Sequence, residues 1–144
     1  MGIQSILVII KTEFIYNQQI SKLFKMDRVD MNKRTMKMAM EVIKLTKAFP
    51  LSQESKVITY QIIKSSTSTA ANYRAAGRGK STKDFIAKLG IAEEECDETI
   101  FWLEMILEAN LASFDITQPI KQEASEILAI IVSSIKTAKK HLNN

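Results

Sequence analysis

The sequence predicts an all-α protein, and more specifically an antiparallel up-down-up-down four-helix bundle. From residue 32 onward, apolar residues recur at helical steps of three and four, and no alternating strand pattern of useful length is found. Four Gly and two Pro among 144 residues supply little material for the many tight turns of an all-β fold. The connections between helical segments are short, so neighbouring helices must run antiparallel. A chain of this length can bury a core without metals or disulfides.

The first predicted helix runs from about Lys33 to Ala48. Asn32 precedes it as an N-cap, and the Phe49-Pro50 pair ends it, because the residue before a proline avoids the helical region. Its apolar face is assigned to Met36, Met40 and Ile43.

The second predicted helix begins after Ser52, which can serve as its N-cap. Its inward face carries Ile58, Ile62, Ser65, Thr69 and Ala76. Residues 64–69 are rich in Ser and Thr, whose hydroxyl groups compete for backbone hydrogen bonds and weaken helix propensity. This stretch is either a linker or a helix whose small side chains let a neighbour approach closely. We favour the helix, because residues 70–76 resume the same face without a breaker.

The third and fourth helices have clear beginnings and continuous apolar stripes. Gly77 and Gly79 end the second helix, and Ser81 with Asp84 forms a weak capping box for the third. The seam of the third helix, at alternating steps of four and three, comprises Phe85, Leu89, Ala92, Cys96, Thr99, Leu103 and Ile106. After a loop over residues 110–118, Pro119 takes the first position of the fourth helix. The fourth stripe comprises Ile120, Ala124, Ile127, Ile131, Ile135, Ala138 and Leu142.

The third helix also carries apolar residues on the side away from its seam, namely Ile91, Phe101, Trp102 and Met105. A single bundle cannot bury both sides of one helix, so the second half of this helix is predicted to meet another subunit. The alternative is that Trp102 lies at the edge of the core and the others are scattered surface residues.

The residue types that catalytic and metal sites require are scarce. A di-metal bundle needs Glu-x-x-His on two helices, whereas His141 is the only histidine and follows Ala138 by three places. Gly79-Lys80-Ser81 matches the end of a phosphate-binding loop, but Arg74 stands where that motif needs a glycine. What survives is a helix start whose N–H groups, beside basic side chains, can hold a phosphate. Cys96 lies on the core seam with no nearby histidine, so we expect no enzyme activity, catalytic residue, metal or cofactor.

Charge is segregated along the chain. Residues 31–90 hold twelve basic side chains against three acidic ones, a net charge of +9, whereas residues 91–130 hold one against ten, a net charge of −9. The split favours a phosphate backbone on the basic side or packing of basic on acidic surfaces between subunits, with ordinary surface charge as the third possibility. The candidate phosphate contacts are Lys64, Arg74, Arg78, Lys80, Lys83 and Lys88. Few aromatics are expected on the surface, so backbone contact should dominate over base stacking.

The cysteine content and the N-terminus suggest the compartment. Cys96 is unaccompanied, so no intramolecular disulfide is possible and a cytoplasmic protein is expected. The apolar run from Ile6 to Ile10 has no basic residue before it and is far too short for a membrane span, so we expect neither a secretory signal nor a membrane partner. Residues 1–25 fit poorly with the helical pattern of the rest of the chain. Our hypothesis is an N-terminal extension from a start codon placed too early, followed by a bundle domain of residues 26–144.

A series of short motifs runs from the second helix to the third. They are Gln61-Ile62, Lys64, Ser65, Ser68, Ala71-Asn72-Tyr73-Arg74-Ala75, Gly77-Arg78-Gly79-Lys80-Ser81, Phe85, Lys88-Leu89, Ile91-Ala92, Glu94-Glu95, Asp97-Glu98 and Trp102-Leu103. Together they resemble the small four-helix-bundle proteins known as 23S rRNA intervening-sequence (S23-like) proteins, over about residues 33–107. Many relatives carry a proline in the second helix and an acidic residue before the glycine turn, where this chain has Ser68-Thr69 and Ala75-Ala76.

The resemblance implies a bundle that assembles into a ring, typically a homopentamer, with a positively charged surface. Members are encoded in ribosomal RNA intervening sequences or stand alone in bacterial genomes. A similar bundle is the accessory protein of diversity-generating retroelements, which implies nucleic acid and a reverse transcriptase as partners. The resemblance carries over no catalytic residues, and residues 1–25 have no counterpart in it.

Two functions are therefore expected as alternatives. The first is a non-enzymatic oligomer that binds the backbone of RNA or DNA through its basic surface. The second is a ring-forming adaptor or scaffold whose partner is another protein and whose charge split serves self-assembly. In the second case, Arg74→Glu or Arg78→Glu would break the oligomer instead of nucleic-acid binding.

Overall fold

The computed structural model describes residues 2–143, and the side chains of all of these except residues 13, 16, 17 and 19–27. Over this range the protein is all-α and contains no strand. Its helices are α1 (Ile3–Thr46), α2 (Gln53–Ala76), α3 (Thr82–Glu108) and α4 (Phe114–Leu142). The predicted fold class is confirmed at this level.

The chain divides into two compact units, Met1–Met31 and Asn32–Asn144. In the first unit, the described apolar side chains near its start are exposed: Ile3, Ile6, Leu7, Val8, Ile9, Ile10, Phe14 and Ile15. Our hypothesis of a start at Met26 concerns a residue whose side chain lies outside the described part. Among the described residues, no helix combines the length and apolar character that crossing a membrane requires.

The core of the second unit is built around α3, which packs against α2 on one side and α4 on the other. The predicted seam is confirmed, since Leu89, Ala92, Cys96, Thr99, Leu103 and Ile106 are all buried, and Phe85 is half-buried. On α4 the buried positions are Thr117, Ala124, Ile127, Ile131 and Ile135, whereas Leu142 at the end of the stripe is exposed. The inward face predicted for α2 is buried at every position.

The middle of α2 is a continuous helix, so the linker interpretation of residues 64–69 is wrong. Its hydroxyl groups hydrogen-bond within the helix, as when Thr69 Oγ1 donates to the Ser65 carbonyl oxygen at 2.9 Å. Ser65 is fully buried, and its Oγ lies 2.9 Å from Thr99 Oγ1 on α3. The small side chains therefore let α2 and α3 approach closely enough for a hydrogen bond between two short hydroxyl groups.

Our assignment for the first helix needs two corrections. Asn32 does not cap a helix start, because α1 begins at Ile3 and passes through this position. Met36 and Met40 are exposed and Ile43 is half-buried, so they do not form the core face. The buried face instead comprises Thr35, Met38, Ala39, Val42, Leu45 and Thr46. Both sets have helical spacing, and the spacing alone does not decide which of them faces the core.

The start of α4 also differs from the prediction. The helix begins at Phe114, with Ser113 in the cap position, so Pro119 lies inside the helix and the predicted loop is shorter. Pro119 is near enough to the N-terminus that little backbone bonding is lost, because the first helical N–H groups have no partner within the helix. At the end of α3, Asn110 adopts a φ of 53°, and Leu111 N donates to the Ile106 carbonyl oxygen at 3.0 Å. This left-handed residue closes the helix.

Candidate nucleic-acid interface

The glycine turn between α2 and α3 has a defined shape. Gly77 follows the last residue of α2, and Gly79 N donates to the Ala76 carbonyl oxygen at 2.9 Å, which confirms the predicted helix end. A Cβ on Gly79 would lie 3.1 Å from both the Ala76 carbonyl oxygen and Phe85 N. Because these backbone atoms belong to two different helices, Gly79 lets the turn pack tightly against the start of α3.

The start of α3 is capped by the protein's own side chains. Ser81 Oγ accepts a hydrogen bond from Asp84 N at 3.1 Å, as predicted, and Asp84 Oδ2 accepts one from Lys80 N at 3.0 Å. Two of the N–H groups that could have held a phosphate are therefore occupied, and one of their acceptors is a carboxylate. Any phosphate here must be bound mainly by side chains.

Of the six candidate phosphate contacts, five are exposed and Lys88 is half-buried. They lie on consecutive elements: Lys64 and Arg74 on α2, Arg78 and Lys80 in the turn, and Lys83 and Lys88 on the first turns of α3. The salt bridges found among the described side chains join Arg34 to Glu123 and Glu126, Lys44 to Glu41, and Lys121 to Glu104. Within the described part, the six candidates thus keep their charges available to a ligand.

Two residues on the outer face of α2 escaped the sequence analysis. Tyr60 is 67% exposed, and Lys56 is also exposed. Both precede Lys64 at steps of four, which places them on one face of the helix. The spacing was visible in the sequence, but the prediction considered only cations near the glycine turn and assumed that the aromatics were buried.

The predicted subunit interface on α3 is partly assembled in the single chain. Phe101 and Met105 are exposed one helical turn apart, and the Phe101 ring meets Trp102 edge-on with centroids 4.9 Å apart. Trp102 is half-buried and donates from Nε1 to Glu98 Oε1 at 3.2 Å. Ile91 is exposed but lies ten residues earlier, about 15 Å along the helix, so it is not part of the same cluster.

Cys96 is buried in the core, where its Sγ–H donates to the Ala124 carbonyl oxygen at 3.3 Å. Burial, together with the charge of Asp97, raises the pKa of its thiol to about 12. The side chain is therefore protonated at neutral pH and acts as a small core residue. Among the described residues, no three His, Cys, Asp or Glu side chains lie together as a metal site would require.

An Arg–carboxylate cluster joins the second half of α1 to α4. Arg34 Nε and Nη2 donate to the two carboxylate oxygens of Glu123 at 2.8 and 2.9 Å, and Nη2 also reaches Glu126 at 2.9 Å. The hydrogen bond from Arg34 lowers the pKa of Glu123, and Glu123 in turn raises the pKa of Arg34. This cation is already neutralised, so it differs from the candidates near the glycine turn.

Comparison with known proteins identifies the family. The model of the 23S rRNA-intervening sequence proteins matches residues 27–133. The chain belongs to this family. A crystal structure of a family protein of unknown function, from the S23 ribosomal protein family of Bacteroides thetaiotaomicron VPI-5482, is 32% identical with a TM-score of 0.69. The similarity covers 74% of this chain and 98% of that one. No protein of the curated set matches the chain.

The matched region of this 23S rRNA-intervening sequence family protein includes all of α2 and α3. It therefore contains the six candidate phosphate contacts, the glycine turn and the apolar cluster on α3. The resemblance seen in the sequence is confirmed.

Proposed function

We propose that this protein is a non-enzymatic module that binds the phosphate backbone of nucleic acid through a basic surface. We define the basic surface by Lys64, Arg74, Arg78, Lys80, Lys83 and Lys88. The observation that carries the proposal is that these cations have no carboxylate partner among the described side chains, unlike Arg34. Unpaired surface cations gain the most from a polyanion, because neutralising phosphates releases the counterions condensed on them.

We further infer that residues 32–144 form one antiparallel up-down-up-down four-helix bundle. The packing of α3 between α2 and α4 supports this arrangement, as do the hydrogen bonds from Arg34 on α1 to Glu123 on α4. In such a bundle, the end of α2 and the start of α3 share one end of the molecule. The five cations from Arg74 to Lys88 then form a contiguous patch, and Lys64 extends it by about 15 Å along α2.

The test is binding of a labelled 20-nucleotide RNA, and of DNA of the same sequence, followed by fluorescence anisotropy at about 50 mM salt. The double variant Arg74→Glu/Arg78→Glu should weaken binding of both at least tenfold. Lys136→Glu/Lys139→Glu is the matched control, because it removes the same charge from exposed positions near the end of α4. Equal losses in the two double variants would mean that net charge alone governs binding, and absence of wild-type binding would refute the proposal.

A second candidate function is a ring-forming adaptor or scaffold whose partner is another protein. The exposed apolar cluster of Phe101 and Met105 beside Trp102 favours it, because monomers rarely expose adjoining large apolar side chains without a use. The self-partner would be a second copy of this chain, in a homopentamer according to the family resemblance, and a reverse transcriptase is the external partner that the same resemblance implies. Loss of the oligomer in Arg74→Glu, with nucleic-acid binding absent from the wild type, would support this alternative.

A further inference from the structure

We propose that the outer face of α2 binds single-stranded nucleic acid, with Tyr60 as a platform on which an unpaired base stacks. We define the outer face of α2 by the exposed side chains Lys56, Tyr60, Lys64, Thr67, Ala71 and Arg74. The inference rests on the proposed function and adds to it a ligand class and a contact that is not to phosphate.

The first argument is the exposure of Tyr60. Its side chain is 67% exposed, and no ring contact or hydrogen bond of Tyr60 is found among the described residues. An aromatic ring left in water gives up the apolar contacts it would make in a core, and its flat face remains available to another ring. Every nucleobase has such a face, so stacking requires no particular sequence.

The second argument is the charge around the ring. Lys56 and Lys64 lie one helical turn before and after Tyr60, and Arg74 continues the same face about 21 Å further along α2. The only acidic residue of α2 is Glu54, near its start and outside this face. A phosphate backbone running along the helix would therefore meet cations on both sides of the stacked base and reach the glycine turn without passing a carboxylate.

The third argument distinguishes single strands from duplexes. The residues between the cations, Thr67 and Ala71, are small, so a splayed strand can lie close to the helix. In a duplex the base faces are already stacked, and the major groove of an A-form RNA helix is too deep and narrow for side chains to read. Tyr60 can therefore contribute to the affinity for unpaired bases but not to that for a duplex.

The experiment compares a labelled 20-nucleotide oligouridylate with its duplex with oligoadenylate, for wild type and for Tyr60→Ala, at about 50 mM salt. We expect Tyr60→Ala to weaken oligouridylate binding about 5- to 100-fold, the range that loss of one stacked base gives, and duplex binding less than twofold. Tyr60→Phe keeps the ring and should bind like wild type. Phe114→Ala is the control for loss of an exposed aromatic, because Phe114 is 63% exposed at the start of α4, outside the basic surface.

The inference is overturned if Tyr60→Ala affects both ligands equally or neither of them. It is also overturned if the variant changes the sedimentation coefficient instead of the affinity, which would assign Tyr60 to a protein contact. If the wild type binds the duplex and oligouridylate and Tyr60→Ala leaves both unchanged, the proposed function stands and this inference alone fails. If the wild type binds neither ligand, both fail together.

Discussion

At the scale of single residues, the same amino-acid type has different roles depending on its partners. Arg34 is held by two carboxylates and fastens α1 to α4, whereas Arg74 and Arg78 are exposed and unpaired among the described side chains. Glycine differs in the same way. Gly79 lies against backbone atoms of two helices, whereas a Cβ on Gly90 would meet nothing within 4 Å.

The two glycines predict opposite effects of the same substitution. Gly79→Ala should lower the free energy of unfolding by about 1 kcal/mol, because its Cβ would press on backbone atoms that cannot easily yield. Gly90→Ala should raise it by about 0.5–1 kcal/mol, because alanine is the better helix former inside α3. Urea denaturation measures both. A stabilising Gly79→Ala would show that the turn is looser than described.

The carboxylate of Glu123 predicts how stability depends on pH. Since Arg34 lowers the pKa of Glu123 in the folded state, its contribution is present above the unfolded value of 4.5 and is lost as pH falls through the lower folded pKa. Glu123→Gln should therefore lower the melting temperature at pH 7 and lessen its fall below pH 4.5. Glu108→Gln, at an exposed position, is the control. An unchanged acid profile in Glu123→Gln would contradict this role of the pair.

At the scale of helices, the sequence was most informative where one apolar stripe stood alone. The seam of α3 was predicted correctly, because its alternating steps from Leu89 to Ile106 fit one face of a helix and no other. The first helix carries two apolar stripes, and we assigned the exposed one, with Met36 and Met40, to the core. Tyr60 was missed for a related reason, because spacing reports which residues share a face but not whether that face is covered.

The contact between α2 and α3 depends on small side chains. Ser65→Leu should lower the free energy of unfolding by about 1–3 kcal/mol, because a bulky group cannot fit where Ser65 Oγ lies 2.9 Å from Thr99 Oγ1. Thr67→Leu, on the exposed side of the same helix, is the control and should have little effect. Chemical denaturation followed by circular dichroism checks this. Tolerance of leucine at position 65 would mean that the helices can separate at low cost.

At the scale of the whole molecule, charge and apolar surface are separated. The basic surface surrounds the glycine turn, and the exposed apolar cluster of Phe101 and Met105 lies near the end of α3. If α3 meets a second copy of the chain, Phe101→Glu should lower the mass found by sedimentation without loss of helical content. Leu51→Glu, at a position 99% exposed, is the control. Equal masses for wild type and Phe101→Glu would show that this cluster holds no subunits together.

The central claim is that unpaired cations at one end of the molecule bind phosphates, and the salt dependence of RNA affinity tests it most directly. If the six side chains each neutralise one phosphate, the affinity of wild type for a labelled RNA should fall about 10³-fold between 50 and 200 mM salt. Arg78→Gln should make the slope of log affinity against log salt shallower by about one contact. A flat slope, or a slope that Arg78→Gln leaves unchanged, would contradict the account.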